Sequence, residues 1–218
     1  MIVNKDAKRI LLFGDSLVFG KIPVPAGSRY DSETRFTGII QKELGDKVEI
    51  IEEGLRGRVI EGENTFFPYR NGAEQFGPIF GSHYPIDLLI LFMGTNDTNS
   101  GFTKSPGEFV NGFDGYLKQV DWWCEHFSTP KPQIMLVAPP LINEKESYKA
   151  FKDIFKGSEE KSKQFSQAYE GYATKNGLYF LDSTKLVAPS SIDGIHLSEE
   201  GNLALGKAIA KKISELLW

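Results

Sequence analysis

Five short apolar runs recur along the 218-residue chain, separated by stretches of helical or polar character. Runs this brief and hydrophobic are typical of strands buried on both faces of a parallel sheet, whose crossover connections are usually helices. The predicted strands are residues 9–13, 48–52, 88–93, 133–138 and 178–181. We therefore expect an α/β fold, a three-layer sandwich in which a five-stranded parallel sheet carries helices on both faces.

Length and composition favour one domain over residues 1–218, because no repeat, low-complexity tract or linker divides the chain. The formal net charge of −4 disfavours a nucleic-acid partner. Cys124 is the single cysteine, which excludes an intramolecular disulfide and a Cys-based zinc site. No apolar run reaches the length of a signal-peptide core or a membrane span, so we expect a cytoplasmic protein without a membrane partner.

Two helices are marked by their ends. Ser105 and Glu108 form a capping-box pair before an apolar pattern that predicts one helix over residues 106–127. Its apolar stripe is Phe109, Phe113, Tyr116, Val120, Trp123 and Phe127. The final helix is predicted to begin near Ser198, a favourable N-cap. Its buried face is expected to contain Leu205, Ile209, Ile213 and Leu216.

A serine follows the first predicted strand and precedes a short apolar stretch. Ser16 stands between Gly14 and Gly20, which permit a tight strand-to-helix turn with the hydroxyl near a helix N-terminus. The simpler alternative is a serine that only caps a helix. The segment is not the Gly-x-Ser-x-Gly elbow of α/β-hydrolases, since Asp15 precedes the serine and Val18 stands where that motif has glycine.

A carboxylate and an imidazole lie three residues apart just before the last helix. In a turn, Asp193 can accept a hydrogen bond from one ring nitrogen of His196 while the other nitrogen faces Ser16. The alternative is a loop aspartate beside a buried, hydrogen-bonded histidine. Neither His83 nor His126 has a carboxylate three residues before it in the sequence.

Two further segments follow predicted strands. Asn96 comes directly after the third strand, where its amide could bind a carbonyl oxygen without protonating a nucleophile. Gly57 follows the second strand and could offer a backbone N–H to the same oxygen. Ordinary turn geometry explains either segment equally well when it is taken alone.

Taken together, these segments resemble the SGNH, or GDSL-type, hydrolase superfamily over essentially the whole chain. Residues 14–17 read Gly-Asp-Ser-Leu, residues 94–97 Gly-Thr-Asn-Asp and residues 193–196 Asp-Gly-Ile-His. Residues 51–55, Ile-Glu-Glu-Gly-Leu, are similar to the bacterial arylesterase and acyltransferase branch. The resemblance implies the flavodoxin-like fold of that superfamily.

The resemblance also implies roles for individual residues. Ser16 would be the nucleophile, His196 its base and Asp193 the acid that orients the histidine. The oxyanion hole would consist of the Ser16 N–H, the Gly57 N–H and the Asn96 side chain. No metal or organic cofactor is implied.

The block after the second strand departs from the usual pattern of the family. Glu52 and Glu53 stand where asparagine or a similar residue is common, and Arg56 where a small residue is usual. Arg56 could favour an anionic acyl group. We regard an ion pair with Glu52 or Glu53 as the better expectation.

The predicted activity is hydrolysis of a small carboxylic ester through an acyl-enzyme, with possible transfer of the acyl group to alcohols or peroxide. A carbohydrate acetylesterase or a thioesterase/lysophospholipase would use the same side chains. From another class, a non-catalytic ligand-binding module on the same fold is the alternative. Nucleotide binding is disfavoured, since no glycine-rich phosphate-binding motif is present.

The aromatic residues suggest an assembly. Trp122 and Trp123 are adjacent on one predicted helix, so both cannot lie at the centre of its apolar stripe. Phe66, Phe67 and Tyr69 lie in a connection that a small domain does not readily bury. We therefore expect a homo-oligomer in which these segments narrow the entrance to the serine.

Overall fold

The computed structural model describes residues 4–23, 28–146 and 151–218, which form one five-stranded parallel sheet with helices on both faces. The predicted fold class is confirmed, and every strand lies within two residues of its expected ends. The strands are β1 Lys8–Gly14, β2 Val48–Gly54, β3 Leu88–Phe92, β4 Gln133–Ala138 and β5 Tyr179–Asp182. The helices are α1 Ser16–Phe19, α2 Phe36–Leu44, α3 Gly72–His83, α4 Pro106–Val110, α5 Phe113–His126, α6 Ser158–Asn176 and α7 Glu199–Leu217. Short 3₁₀ turns occupy Gly45–Lys47, Asn96–Thr98, Glu144–Glu146 and Ser183–Lys185.

Alternate side chains of β1 enter different halves of the core. Leu11 and Phe13 pack into the cluster covered by α3, α4, α5 and α6. Ile10 and Leu12 point to the opposite face, where α2 and α7 cover the sheet. Because side chains of a strand alternate with period two, a continuous apolar run supplies both layers at once.

The strand order β2-β1-β3-β4-β5 locates the site. The chain first adds β2 on one side of β1 and then continues with β3 on the other side. Gly14 at the end of β1 lies in register with Gly54 of β2 and Phe92 of β3, so three carboxyl ends adjoin. Open α/β sheets bind ligands in the crevice outside such a switch point.

The prediction of a single helix over residues 106–127 is wrong, because this segment forms two helices, α4 and α5. The capping box is confirmed: the Ser105 hydroxyl accepts from the Glu108 N–H, and the Glu108 carboxylate accepts from the Ser105 N–H. At the break, the N–H groups of Gly112, Asp114 and Gly115 donate to carbonyls three residues earlier instead of four. Glycine at 112 weakens the helix at this point.

The apolar stripe of this segment is confirmed over its first four positions, which are Phe109, Phe113, Tyr116 and Val120. The prediction for Phe127 is wrong, since its side chain is 43% exposed; Cys124 is buried in the last turn instead. Trp123 is half-buried.

The predicted N-terminus and the predicted buried face of the final helix are confirmed. Ser198 caps α7 by accepting from the Gly201 N–H. Leu205, Ile209 and Ile213 are buried, and Leu216 packs at the edge of the cluster.

The connection of residues 54–85 contains α3. The connection of residues 139–156 includes residues 147–150, which lie outside the described residues. Across residues 4–23, 28–146 and 151–218, no helix combines the length and the apolar character that crossing a bilayer requires.

Candidate active site

Ser16 is positioned by a tight turn between β1 and α1. A Cβ atom on Gly14 would lie 2.1 Å from the carbonyl oxygen of Phe92, so only glycine allows β1 and β3 to approach this closely. Asp15 caps α1 by accepting from the Leu17 N–H at 2.9 Å. Ser16 is consequently the first residue of α1, where its own N–H has no acceptor within the helix.

His196 joins this serine to Asp193. The Ser16 Oγ lies 2.9 Å from His196 Nε2, and His196 Nδ1 lies 2.7 Å from Asp193 Oδ2. An ionised carboxylate can only accept, so Nδ1 carries the ring proton and donates to Asp193. Nε2 is then the acceptor for the Ser16 hydroxyl. The structure thus brings together the three side chains that the sequence singled out.

The turn before α7 fixes the histidine. Asp193 Oδ1 accepts from the backbone N–H groups of Ile195 and His196, at 3.0 and 2.9 Å. The His196 carbonyl accepts from the Ser190 N–H at 2.7 Å. One carboxylate therefore orients both the backbone and the imidazole of the histidine.

Burial sets the charge states of this pair. Burial lowers the pKa of His196, and the hydrogen bond and negative charge of Asp193 offset this only in part. Burial opposes ionisation of Asp193, but the hydrogen bonds from His196 and Ile195 outweigh it and hold the pKa of the carboxyl below its ordinary value. At neutral pH the histidine is uncharged beside an ionised aspartate, which is the state that a general base requires.

Asn96 and Gly57 reach the same cavity as Ser16. The buried Asn96 side chain donates from Nδ2 to the Arg58 carbonyl at 3.0 Å, which fixes the amide and leaves its second N–H for another acceptor. Gly57 has φ +80°, a left-handed conformation that favours glycine. Its carbonyl accepts from Asn64 Nδ2 at 2.9 Å. Both predicted oxyanion groups are therefore held by hydrogen bonds next to the serine.

The cavity has a volume of about 290 Å³. Its apolar wall consists of Phe67, Phe151, Phe155 and Ile195. Its cationic wall consists of Lys21, Arg56 and Arg70. Within the described part of the chain, no group of three His, Cys, Asp or Glu side chains converges as a metal site would require.

The expected ion pair of Arg56 with Glu52 or Glu53 is wrong. Glu52 is bound by Arg29, Arg35 and the Thr37 hydroxyl. The Glu53 carboxylate lies 2.8 Å from His83 Nε2, an acidic neighbour of that histidine which the sequence order concealed. Both carboxylates have partners other than Arg56, and its side chain lines the cavity instead.

Lys21 was not identified from the sequence. Its side chain is only 4% exposed, and Nζ lies 3.1 Å from the Ile22 carbonyl and 3.9 Å from Asp193 Oδ2. The chain turns back after α1, since the Lys21 N–H donates to the Ser16 carbonyl. Nothing in the local sequence signals that this turn brings a lysine to Asp193.

The exposed aromatic residues separate into two places. Phe67 lines the cavity of Ser16, and Tyr69 is largely exposed near it in sequence. Trp122 is 55% exposed, as its adjacency to Trp123 predicts, but it lines a different groove between α3 and α5.

Two buried carboxyl groups adjoin site residues in the sequence, Asp15 before Ser16 and Asp97 after Asn96. Burial raises the pKa of Asp15 to about 6. Burial also raises the pKa of Asp97 to about 8, with the charge of Asp15 adding to the shift and the Ile60 N–H opposing it. Asp97 is thus largely protonated at pH 7 in the folded chain, whereas an unfolded chain ionises it near 3.8.

The Asp97→Asn variant should therefore lose part of the pH dependence of stability. Between about pH 5 and 8, unfolding of the native chain releases the Asp97 proton, so the free energy of unfolding falls as pH rises. Asparagine cannot titrate. From the lower to the higher pH, the free energy of unfolding of the variant should therefore rise relative to that of the native chain by on the order of 1 to 4 kcal/mol. Urea titrations of both proteins at the two pH values measure the gain. Equal pH dependence would contradict it, and the exposed Asp6→Asn serves as control.

Comparison with known proteins identifies the class. A model of the GDSL-like lipase/acylhydrolase family matches residues 12–204. The chain belongs to this family and is a carboxylic ester hydrolase. The resemblance seen in the sequence is thereby confirmed. None of the curated proteins compared with the chain matches it.

Solved structures agree with this assignment. An aryl esterase from M. smegmatis is 34% identical, with 97% of this chain and 100% of that chain covered and a TM-score of 0.90. A carbohydrate acetylesterase from Sinorhizobium meliloti is 38% identical, with 96% and 100% covered and a TM-score of 0.89. A lipolytic G-D-S-L family member from Veillonella parvula is 14% identical with a TM-score of 0.64 and shows the shared fold alone.

Proposed function

We propose that the chain is a serine esterase that hydrolyses small carboxylic esters through an acyl-enzyme on Ser16. The observation that carries the proposal is the hydrogen-bonded series from Asp193 through His196 to Ser16, which opens onto the cavity. A hydroxyl, a neutral imidazole and an ionised carboxylate in this order are the components of serine nucleophile activation.

In the proposed reaction, His196 takes the hydroxyl proton as Ser16 Oγ attacks the ester carbonyl. Asp193 orients the imidazole and stabilises the imidazolium that forms. The oxyanion accepts hydrogen bonds from the Ser16 N–H, the Gly57 N–H and the Asn96 amide. His196 then protonates the leaving alcohol, and a water molecule deprotonated by His196 releases the acid.

The size and the apolar wall of the cavity favour aryl or short-chain esters. A space of about 290 Å³ lies at the lower end of the range typical of small-molecule sites. A panel of aryl esters of increasing acyl length, with Ser16→Ala as the blank, tests this substrate class. We expect kcat/KM to fall beyond short chains; a preference for long acyl chains would instead indicate a lysophospholipase or thioesterase.

Carbohydrate acetylesterase activity is the second candidate, favoured by the 38% identity to the Sinorhizobium meliloti enzyme. Acetylated monosaccharides added to the same panel separate the two. A higher kcat/KM for the sugar acetates than for phenyl acetate would select this candidate.

The pH profile of the proposed enzyme should follow His196. Its neutral form is the active base, so kcat/KM should fall about tenfold per pH unit below the pKa of His196. Burial places that pKa below 6.5, with Asp193 opposing the shift and the positive charges of Lys21 and Arg56 adding to it. We therefore expect a midpoint below pH 6.5 for a non-ionising ester when chemistry is rate-limiting. A midpoint above pH 7 would count against His196 as the base.

The Lys21→Met variant is the matched test of this profile. Removing the positive charge near the imidazole makes its protonated form less unfavourable, so the midpoint should move to higher pH. Circular dichroism establishes whether the variant is folded. A folded variant with an unmoved midpoint would show that Lys21 does not act on His196.

We also propose a homo-oligomer with acyl transfer. The exposure of Tyr69 and Trp122, on different parts of the surface, supports an interface. An assembly that narrows the entrance would limit water at the acyl-enzyme and let alcohols compete. Light scattering should give a multiple of the chain mass, and added alcohol should yield transfer product. A monomer that forms only free acid would refute both the homo-oligomer and the acyl transfer. A monomer that transfers the acyl group efficiently would refute only the homo-oligomer.

A further inference from the structure

Positive charge surrounds the cavity beside Ser16. Lys21, Arg56 and Arg70 line it, and none of its described lining residues is Asp or Glu. The whole chain nevertheless has a formal net charge of −4. Sites for neutral ligands usually have apolar walls with a few polar groups that fix orientation. Three cationic side chains in one small cavity exceed what a neutral ester needs.

The Arg70 guanidinium is held in place without being neutralised. It donates to the backbone carbonyls of Arg56 at 2.6 Å, Pro68 at 3.0 Å and Tyr69 at 3.2 Å. These acceptors carry no net charge, and no carboxylate of the described residues lies within 4.0 Å of this guanidinium. A planar donor group that is held by uncharged backbone carbonyls of other residues is well suited to bind an oxyanion of a ligand.

The other two cationic side chains, Lys21 and Arg56, act on His196, and Lys21 also lies near Asp193. Lys21 Nζ is 3.9 Å from Asp193 Oδ2, too far for a direct hydrogen bond, and that carboxylate is already bound by His196. Lys21 and Arg56 both act on the imidazole of His196. Three cationic side chains and no carboxylate are thus found among the described residues that line the cavity with Ser16 and His196, a charge distribution that favours an anionic ligand.

We propose that the cavity is selective for esters that carry a carboxylate or a similar anionic group close to the scissile bond, bound by Arg56 and Arg70 with Lys21 behind them. The proposal rests on the proposed function of Ser16. The anion can belong to the acyl part or to the alcohol part of the ester, since the cations lie on the wall of one undivided cavity. Its binding should raise kcat/KM by about 10- to 100-fold over a neutral isostere, as expected for hydrogen bonds to a charged group.

The experiment compares two pairs of esters, each differing by carboxylate against amide. Monobenzyl succinate against benzyl succinamate places the charge on the acyl side. 4-Acetoxybenzoate against 4-acetoxybenzamide places it on the alcohol side. The measured quantity is the ratio of kcat/KM within each pair, after subtraction of the Ser16→Ala blank.

Variants of Arg56 test whether this side chain causes the selectivity for the charged ester. Arg56→Gln should lower the ratio at least severalfold, Arg56→Lys should restore most of it, and raising the salt from about 20 to about 500 mM should reduce it. Lys211→Gln is the matched control, since Lys211 is exposed on α7 well beyond its N-terminal turn. That variant removes the same charge and should leave the ratio as in the native chain.

The outcomes separate this inference from the proposed function. A ratio near or below one in both pairs, with the neutral esters still cleaved through Ser16, overturns the selectivity and leaves the esterase standing. A high ratio that neither Arg56→Gln nor salt reduces also overturns it. If the purified protein cleaves none of the four esters through Ser16, the inference and the proposed function both fail.

Discussion

The Ser16→Ala variant is expected to lose ester hydrolysis by several orders of magnitude, up to about 10⁶-fold in kcat. Among the described residues that line the cavity, the Ser16 hydroxyl is the one placed next to the neutral base, at 2.9 Å from His196 Nε2. Alanine removes one hydrogen bond at the end of β1 and leaves the apolar core of the sheet untouched. The fold should therefore persist, and circular dichroism and thermal unfolding would verify it.

The control for this experiment is Ser82→Ala, an exposed serine on α3 whose hydroxyl donates to the Pro78 carbonyl. It should retain native activity. More than a tenth of the native rate in a Ser16→Ala sample shown to be free of contaminating esterase would refute the nucleophile assignment.

The second large effect is expected at Asn96. Asn96→Ala should lower kcat by about 10²- to 10³-fold with a smaller change in KM, since the amide acts mainly on charge that develops in the transition state. The structure supports this because the hydrogen bond to the Arg58 carbonyl holds the amide at the cavity. Steady-state kinetics on an aryl acetate measure both constants.

Asn96→Asp is the sharper companion variant, because it keeps the shape of the side chain and replaces the donor by an acceptor. It should lose at least as much kcat as the alanine variant. If either variant raised only KM, Asn96 would be a substrate-binding residue and its oxyanion role would be wrong.

The fold was predictable because strands buried on both faces need continuous apolar runs. Residues 133–138 predict β4 without error, and the other strands differ at their ends only. The start of a helix was predictable where a capping side chain determines it, as Ser105 does for α4 and Ser198 for α7. The break at Gly112 was missed, since the aromatic period continues across it and only the hydrogen bonds show the change of pitch.

The site was predictable to the extent that it follows strand ends. Ser16 and Asn96 follow the ends of β1 and β3 by two and four residues, and the carboxyl ends of these strands are neighbours in the sheet. Lys21 and Arg70 reach the cavity through turns in connections, where no periodicity indicates direction. For the same reason we expected Arg56 to form an ion pair with Glu52 or Glu53, its nearest carboxylates in the sequence. In the structure, Glu52 instead forms ion pairs with Arg29 and Arg35.

The central claim, that Ser16 is acylated during turnover, is tested most directly by rapid-quench mass spectrometry of the intact protein with 4-nitrophenyl acetate. We expect a burst of about one nitrophenol per chain, one acetyl group per chain located on Ser16, and neither in Ser16→Ala. Turnover without a burst and without an acylated chain, when deacylation has been slowed by low temperature, would contradict it. An acetyl group that forms on another residue at the rate of turnover, or that persists in Ser16→Ala, would contradict it equally.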